Sequence, residues 1–250
     1  TVMTQKISVQ TVTVLSLALM VELALGLVLG TSAEAQFRPP NRGAPRTTAG
    51  GATRSGSCIT EKAPLTALVP KSKLALTTEA RPTFFLYLPK TNAQSAEFTL
   101  KDIDENDIYR TTIPLTGQSG AVSFQLPADA PALEVGKDYQ WFFNIVCQPS
   151  DRLRDDFVTA WIQRVEPTQT LLSALTNATP RQRPNIYAQA GIWQDTLAAL
   201  TALRRNRPTD PTLTDEWNSL LKSVGIEQVP GGPPVGQLSL ETRPAPLKRN

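Results

Sequence analysis

The sequence predicts a mainly β protein with a smaller α part: a β-sandwich of the immunoglobulin or fibronectin kind, followed by a small helical region. Three observations carry this. From Pro64 to Val165, short apolar runs alternate with period two and are divided by turn residues at intervals of about 8–12 positions, the spacing of sandwich strands. After Glu166 the apolar spacing becomes helical, with stops at Gly191, Pro208 and Gly225. Only two cysteines, Cys58 and Cys147, punctuate the chain, and it has no histidine.

Lys6 precedes an apolar stretch from Ile7 to Leu29, and Ala33 and Ala35 form an A-x-A pair. Residues 1–35 are therefore expected to be a signal peptide cleaved after Ala35, which places the remainder in the periplasm or at the cell exterior. The alternative is an uncleaved anchor. Glu22 counts against it, because a carboxylate inside a span costs about 2.5–3.5 kcal/mol on insertion scales. Residues 36–57, rich in Pro, Gly, Thr and Arg, read as a disordered linker, and residues 226–250 as a disordered tail. The formal charge of +3 does not describe the body: Arg38, Arg42, Arg46 and Arg54 stand in the linker without an acid, and the folded part is nearly neutral. No nucleic-acid partner is expected; weak contact of the basic linker with an anionic surface is.

Residues 58–166 form the expected sandwich domain. Its candidate strands are "LTALV", "KLALT", "TFFLYLP", "AEFTLKDI", "DIYRTTI", "AVSFQLP", "DYQWFFNIVC" and "FVTAWIQRV". In the seventh, alternation puts Tyr139, Trp141, Phe143 and Ile145 on one face with Cys147 in phase. The Tyr139 hydroxyl is placed to bond back to the preceding corner, as in a tyrosine corner. In an oxidising compartment the two cysteines are expected to be bridged, stabilising the fold by about 4–5 kcal/mol in the chain-entropy model. A pair of buried free thiols is the alternative. Two cysteines without histidine do not complete a tetrahedral zinc site, and no metal or cofactor is expected.

Residues 167–225 are the expected helical region. Tyr187, Gly191, Trp193, Leu197, Leu200, Leu203 and Pro208 fall at the signature offsets of a tetratricopeptide repeat, although Thr196 stands where that repeat prefers alanine. A single repeat cannot bury its own face, so it must dock on the sandwich or on a partner. Pro184 sets the start of the first repeat helix at or just before itself.

The candidate reactive groups each have a structural reading beside the chemical one. Asp102, Asp104, Glu105 and Asp107 invite a calcium loop, but they lack its glycine and distal glutamate and lie between strands, so a hairpin turn explains them. Asp151, Asp155 and Asp156 read as a solvated loop. Ser219 and Lys222 form S-x-x-K without the companion motifs of the penicillin-recognising enzymes. Trp193 and Trp217 either line a peptide groove or, more commonly, form the core between helices. Without histidine, imidazole-based triads and dyads are excluded, and no catalytic residues are assigned.

The segments "PLTALVP", "PTFFLYLP", "LEVGKDYQWFFNIVCQP", "WIQRVEP", "YAQAGIWQDTLAAL" and "WNSLLKSVGI" together resemble a family of exported cyanobacterial proteins catalogued as a domain of unknown function. The resemblance runs from Cys58 to Gly225, with departures at Ala160, where glycine is expected, and at Pro184. It implies export and this architecture, comes with no known activity, and adds no catalytic residues. The expected function is thus a non-enzymatic interaction or scaffold module of the cell envelope whose partner is another envelope or exported protein. The alternatives are a glycan-binding sandwich and, remotely, a hydrolase using carboxylates drawn from Asp102, Asp104, Asp151 and Asp156.

Overall fold

The structure, a computed structural model, describes residues 36–45, 58–226, 229 and 235–240. The expected signal peptide, with Ala33 and Ala35, lies outside these residues, as do 46–57 and 241–250. Among the described residues the fold is mainly β with α. Its strands are β1 (Thr66–Ala67), β2 (Leu74–Thr77), β3 (Thr83–Leu88), β4 (Ser95–Lys101), β5 (Asp107–Pro114), β6 (Gly120–Gln125), β7 (Asp138–Ile145), β8 (Asp156–Arg164) and β9 (Gly236–Gln237). Four helices follow β8: α1 (Gln169–Thr176), α2 (Arg183–Gln189), α3 (Trp193–Asn206) and α4 (Pro211–Ser223). No helix of the described residues is long and apolar enough to cross a membrane.

The strands form two sheets, ordered β1-β3-β6-β9 and β2-β8-β7-β4-β5. Most neighbours are antiparallel; β2 runs parallel to β8, and β9 parallel to β6. Alternation in the sequence decides which side chains meet between the sheets. Along β7, Tyr139, Trp141, Phe143 and Ile145 are buried while the residues between them are half-buried, as the period-two pattern requires. Phe84 of β3 and Phe124 of β6 approach Phe98 of β4, each with ring centroids 4.8 Å apart, and Trp141 lies 5.4 Å from Phe84. Both sheets therefore contribute to one aromatic core, in tilted ring arrangements that add to the area buried. Ala160 lies opposite Trp141 in the β7–β8 ladder, fully buried, in regular extended backbone.

The turn before β7 is closed as the sequence predicts: the Glu134 backbone N–H donates to Tyr139 Oη at 3.2 Å. At the other end of β7, Cys147 is joined by a disulfide to Cys58, with Cα atoms 5.3 Å apart. The bridge attaches the chain just before β1 to the end of β7, the central strand of the second sheet.

The helices pack on the β part. Trp193 and Leu197 are fully buried at the start of α3, and Trp217 and Leu220 on α4 are 1% exposed, so the tryptophans are core. Polar contacts fix the angle of approach. Trp193 Nε1 donates to the Leu68 carbonyl at 2.7 Å, and Gln194 Nε2 to the Thr83 carbonyl at 2.7 Å. Pro184 occupies the first turn of α2, where its missing N–H costs no helical bond. Gly191 turns the chain between α2 and α3 with φ +76°, and a Cβ there would meet the Arg38 carbonyl oxygen at 2.8 Å; conformation and close approach both demand glycine.

Two stretches expected to be disordered pack against this body. In the linker, Phe37 is 5% exposed with its ring 4.8 Å from that of Trp193, the Arg38 N–H donates to the Ala188 carbonyl at 3.0 Å, and Arg42 pairs with Asp138 at 2.6 Å. In the tail, Val235 and Leu238 are each 2% exposed and Gly236–Gln237 adds β9. The corrections share one physical reason. Composition weighs a segment as a whole, whereas one or two apolar side chains with a ready socket suffice to hold six to ten residues of extended chain.

Candidate functional site

Asp102, Asp107, Asp151 and Asp155, singled out in the sequence, are engaged by local structure. Asp102 organises the β4–β5 turn: Oδ1 accepts from the Asp104 and Asn106 backbone N–H groups at 2.9 Å, and Oδ2 from Asn106 Nδ2 at 2.9 Å. These donors hold its carboxyl below the ordinary range, as Arg110 does for Asp107, 2.6 Å away. Asp151 accepts from the Leu153 N–H and pairs with Arg154, and Asp155 pairs with Arg152 at 2.6 Å. Asp156 is buried at the start of β8. Asp102 and Asp104 lie beside the start of β7, whereas Asp156 pairs with Ile145 at its end, about 24 Å along the strand.

Cys58, Cys147 and Asp156 bring their potential ligand atoms within 4.8 Å of one another. The sulfurs are bonded to each other, and a metal ligand must be a thiolate. Asp156 Oδ2, 3.8 Å from Cys147 Sγ, is a contact without a proton, since a disulfide sulfur carries none.

The residues matched to a tetratricopeptide repeat divide between two short helices and the turns that bound them. Tyr187 lies on α2, Gly191 in the turn, Trp193, Leu197, Leu200 and Leu203 on α3, and Pro208 beyond its end. With seven residues α2 is short, and the apolar face of α3 is already covered by this chain's own strands and helices. Ser219 is half-buried on α4, with Lys222 exposed in its last turn.

Three groups escaped the sequence reading. Asp195 is buried in the first turn of α3, where it accepts from Thr77 Oγ1 at 2.6 Å, from the Thr78 N–H at 2.9 Å and from Thr78 Oγ1. Burial pushes its carboxyl above the ordinary value despite these donors. Arg204 lies 5.0 Å from the centre of the Trp217 ring. Arg205, its neighbour, reaches the third and most distinctive place in the molecule, the free side of β6.

There Gly236 faces Val122 and Gln237 faces Ser123 in parallel register. The Leu238 N–H donates to the Ser123 carbonyl at 2.8 Å, and Ser123 Oγ donates to the Gly236 carbonyl at 3.1 Å. Arg205 completes a clamp: Nη2 donates to Ser123 Oγ at 3.0 Å and to the Val235 carbonyl at 3.2 Å, with Nε 3.3 Å from the same carbonyl. Side chains and backbone here recognise an extended chain, with Val235 and Leu238 inserted as apolar anchors. An open groove of about 490 Å³ lies at the end of β6, lined by Phe124, Leu126, Pro127, Leu238 and Leu240. The signal in the sequence was "VGQLSL", a short apolar run bounded by the turn residues "PGGPP".

A family model described as Domain of Unknown Function (DUF928) matches residues 49–233. No curated protein and no solved structure matches the chain.

Proposed function

The chain belongs to the Domain of Unknown Function (DUF928) family, and we propose that this member is an exported, non-enzymatic interaction module built on an immunoglobulin-like platform. The strand order supports the platform. In the letters of that fold, β3 and β6 take positions B and E, β4, β7 and β8 take C, F and G, β5 takes C′, and β1 and β2 share the A role, one on each sheet. The Tyr139 hydroxyl bond is that of a tyrosine corner at the start of strand F. The disulfide supports export, since such bonds persist in oxidising compartments. The two short helices α2 and α3 resemble one tetratricopeptide unit used inward, as a brace on the sheets.

One observation carries the interaction reading. The chain between β5 and β6, residues 115–119, is too short to supply strand D, and the place beside β6 is filled by a segment from the far end of the chain. A sheet completed from elsewhere is a sheet that binds strands, and strand addition is an established mode of peptide recognition. The glycan-binding alternative needs an exposed aromatic platform; Trp141, Trp161, Trp193 and Trp217 are all buried, and the Asp-rich loops are paired internally.

The test is crosslinking followed by affinity purification from an envelope fraction of cells expressing the tagged protein. A stoichiometric protein partner is expected, and recovery of the protein alone from every crosslinked fraction overturns the reading.

A further inference from the structure

We propose that the side of β6 away from β3, with Ser123 and Arg205, is a strand-capture site for an extended partner peptide of the pattern Val-x-x-Leu, and that residues 235–240 are its built-in competitor. The inference rests on the interaction reading and gives it a site, a ligand chemistry and a means of control.

The recognition elements follow from the seated segment. Parallel pairing with β6 supplies backbone bonds that any extended chain can make, through the Ser123 carbonyl and the Gly236 carbonyl. Selectivity comes from the side chains. The first anchor is β-branched Val235, whose carbonyl is gripped by Arg205; the second is Leu238, and both are 2% exposed. Between them Gly236 and Gln237 are exposed, and a Cβ at 236 would make only ordinary contact, 3.6 Å from Val122 Cγ1, so neither position is restricted. Arg205 contributes donors only, so the partner must present a carbonyl and not a backbone N–H at the Val235 position. The groove at the end of β6 gives a longer peptide further apolar surface past the Leu240 position.

The same geometry predicts control. Val229, 9% exposed in the core, is the last packed residue before the seated segment begins at Val235, so the competitor is tethered by the five intervening residues 230–234. A tether of that length gives an effective concentration on the order of millimolar, against which a partner peptide must compete. Releasing the tail raises the apparent affinity for partner without altering the site.

The experiment uses the full-length oxidised chain and a fluorescent peptide with the sequence of residues 235–240, VGQLSL. Leu238→Asp places a charge where the native side chain is 2% exposed against β6, and expels the tail in cis. Titrated by anisotropy, Leu238→Asp is expected to bind the peptide one to one, about tenfold or more tighter than the wild-type chain. Adding Arg205→Ala is expected to weaken binding about fivefold or more, as loss of a charged donor does. A natively folded Leu238→Asp chain without saturable binding overturns the proposal, as does binding that Arg205→Ala leaves unchanged. Should Leu238→Asp fail to fold, hydrogen exchange on the wild-type chain decides. The Leu238 amide is expected to exchange at least about a hundredfold faster than the amides of β3, because a competitor must open on its own; equal protection overturns the proposal. Failure of the peptide to bind leaves a crosslinked partner unexplained but present, whereas absence of any partner overturns the interaction reading, so the two failures are distinguishable.

Discussion

Asp195 joins two parts of the chain through three hydrogen bonds, yet it is buried enough that its charge is held at a cost. Its carboxyl titrates above 3.8 in the folded protein because burial outweighs the donors. The folded state thus binds the proton more tightly than the unfolded chain, and stability contributed by this group falls as pH rises from the unfolded value through the folded one. Glu61 has the opposite sign: the Tyr87 hydroxyl and the Lys90 N–H hold it low, and its contribution is lost as pH falls through its folded value. Comparison with Asp195→Asn isolates the first effect. On acidification from neutrality, the wild-type chain is expected to gain stability relative to Asp195→Asn in urea unfolding; a pH-independent difference would exclude it. Tryptophans offer a second contrast. Trp193 donates to the Leu68 carbonyl, whereas the Trp141 indole N–H is buried without a partner among the described residues. Phenylalanine should therefore cost about 1–3 kcal/mol more at position 193 than at 141, measured as a difference of unfolding free energies. The surroundings of Asp195 and Trp193 are not legible in the sequence, because their partners Thr77 and Leu68 lie more than a hundred positions away.

Elements were far more legible than partners. All eight candidate strands from "LTALV" to "FVTAWIQRV" overlap β1 to β8: β7 through period-two alternation, β3 and β8 as short apolar runs buried along almost their whole length. The helices fall between the stops at Gly191, Pro208 and Gly225 for the matching reason. What alternation does not carry is a two-residue strand such as β9, or the face a helix presents to a sheet rather than to a partner. The disulfide belongs to this scale, since it ties the end of β7 to the chain before β1. Replacing both cysteines by serine is expected to lower unfolding free energy by about 2–5 kcal/mol, and to leave peptide capture by Leu238→Asp unchanged, because the bridge is remote from β6. Urea titration of the double variant against the oxidised parent checks the first, and anisotropy the second.

At the scale of the molecule, the segments outside the compositional core are what complete it. Phe37 is inserted against Trp193 from one side, and Val235 and Leu238 against β6 from the other. Phe37→Ala is expected to cost about 3–5 kcal/mol, the range for a buried aromatic, although it lies in a stretch that composition reads as linker; a cost below about 0.5 kcal/mol, the level of a surface change, would return that stretch to the solvent. The candidate site was illegible for the same reason as Phe37. Its parts come from β6, α3 and the tail, each unremarkable alone, and topology brings them together.

Helix α3 is met by Phe37 at its first residue and by the Val235 carbonyl near its last turn, so one late-synthesised element fastens both extremities. A chain is made from its N-terminus onward. Until α3 has emerged, the carbonyls of Leu68 and Thr83 lack the donors that Trp193 and Gln194 bring. The sheets of the nascent polypeptide therefore wait on α3 for both of these contacts.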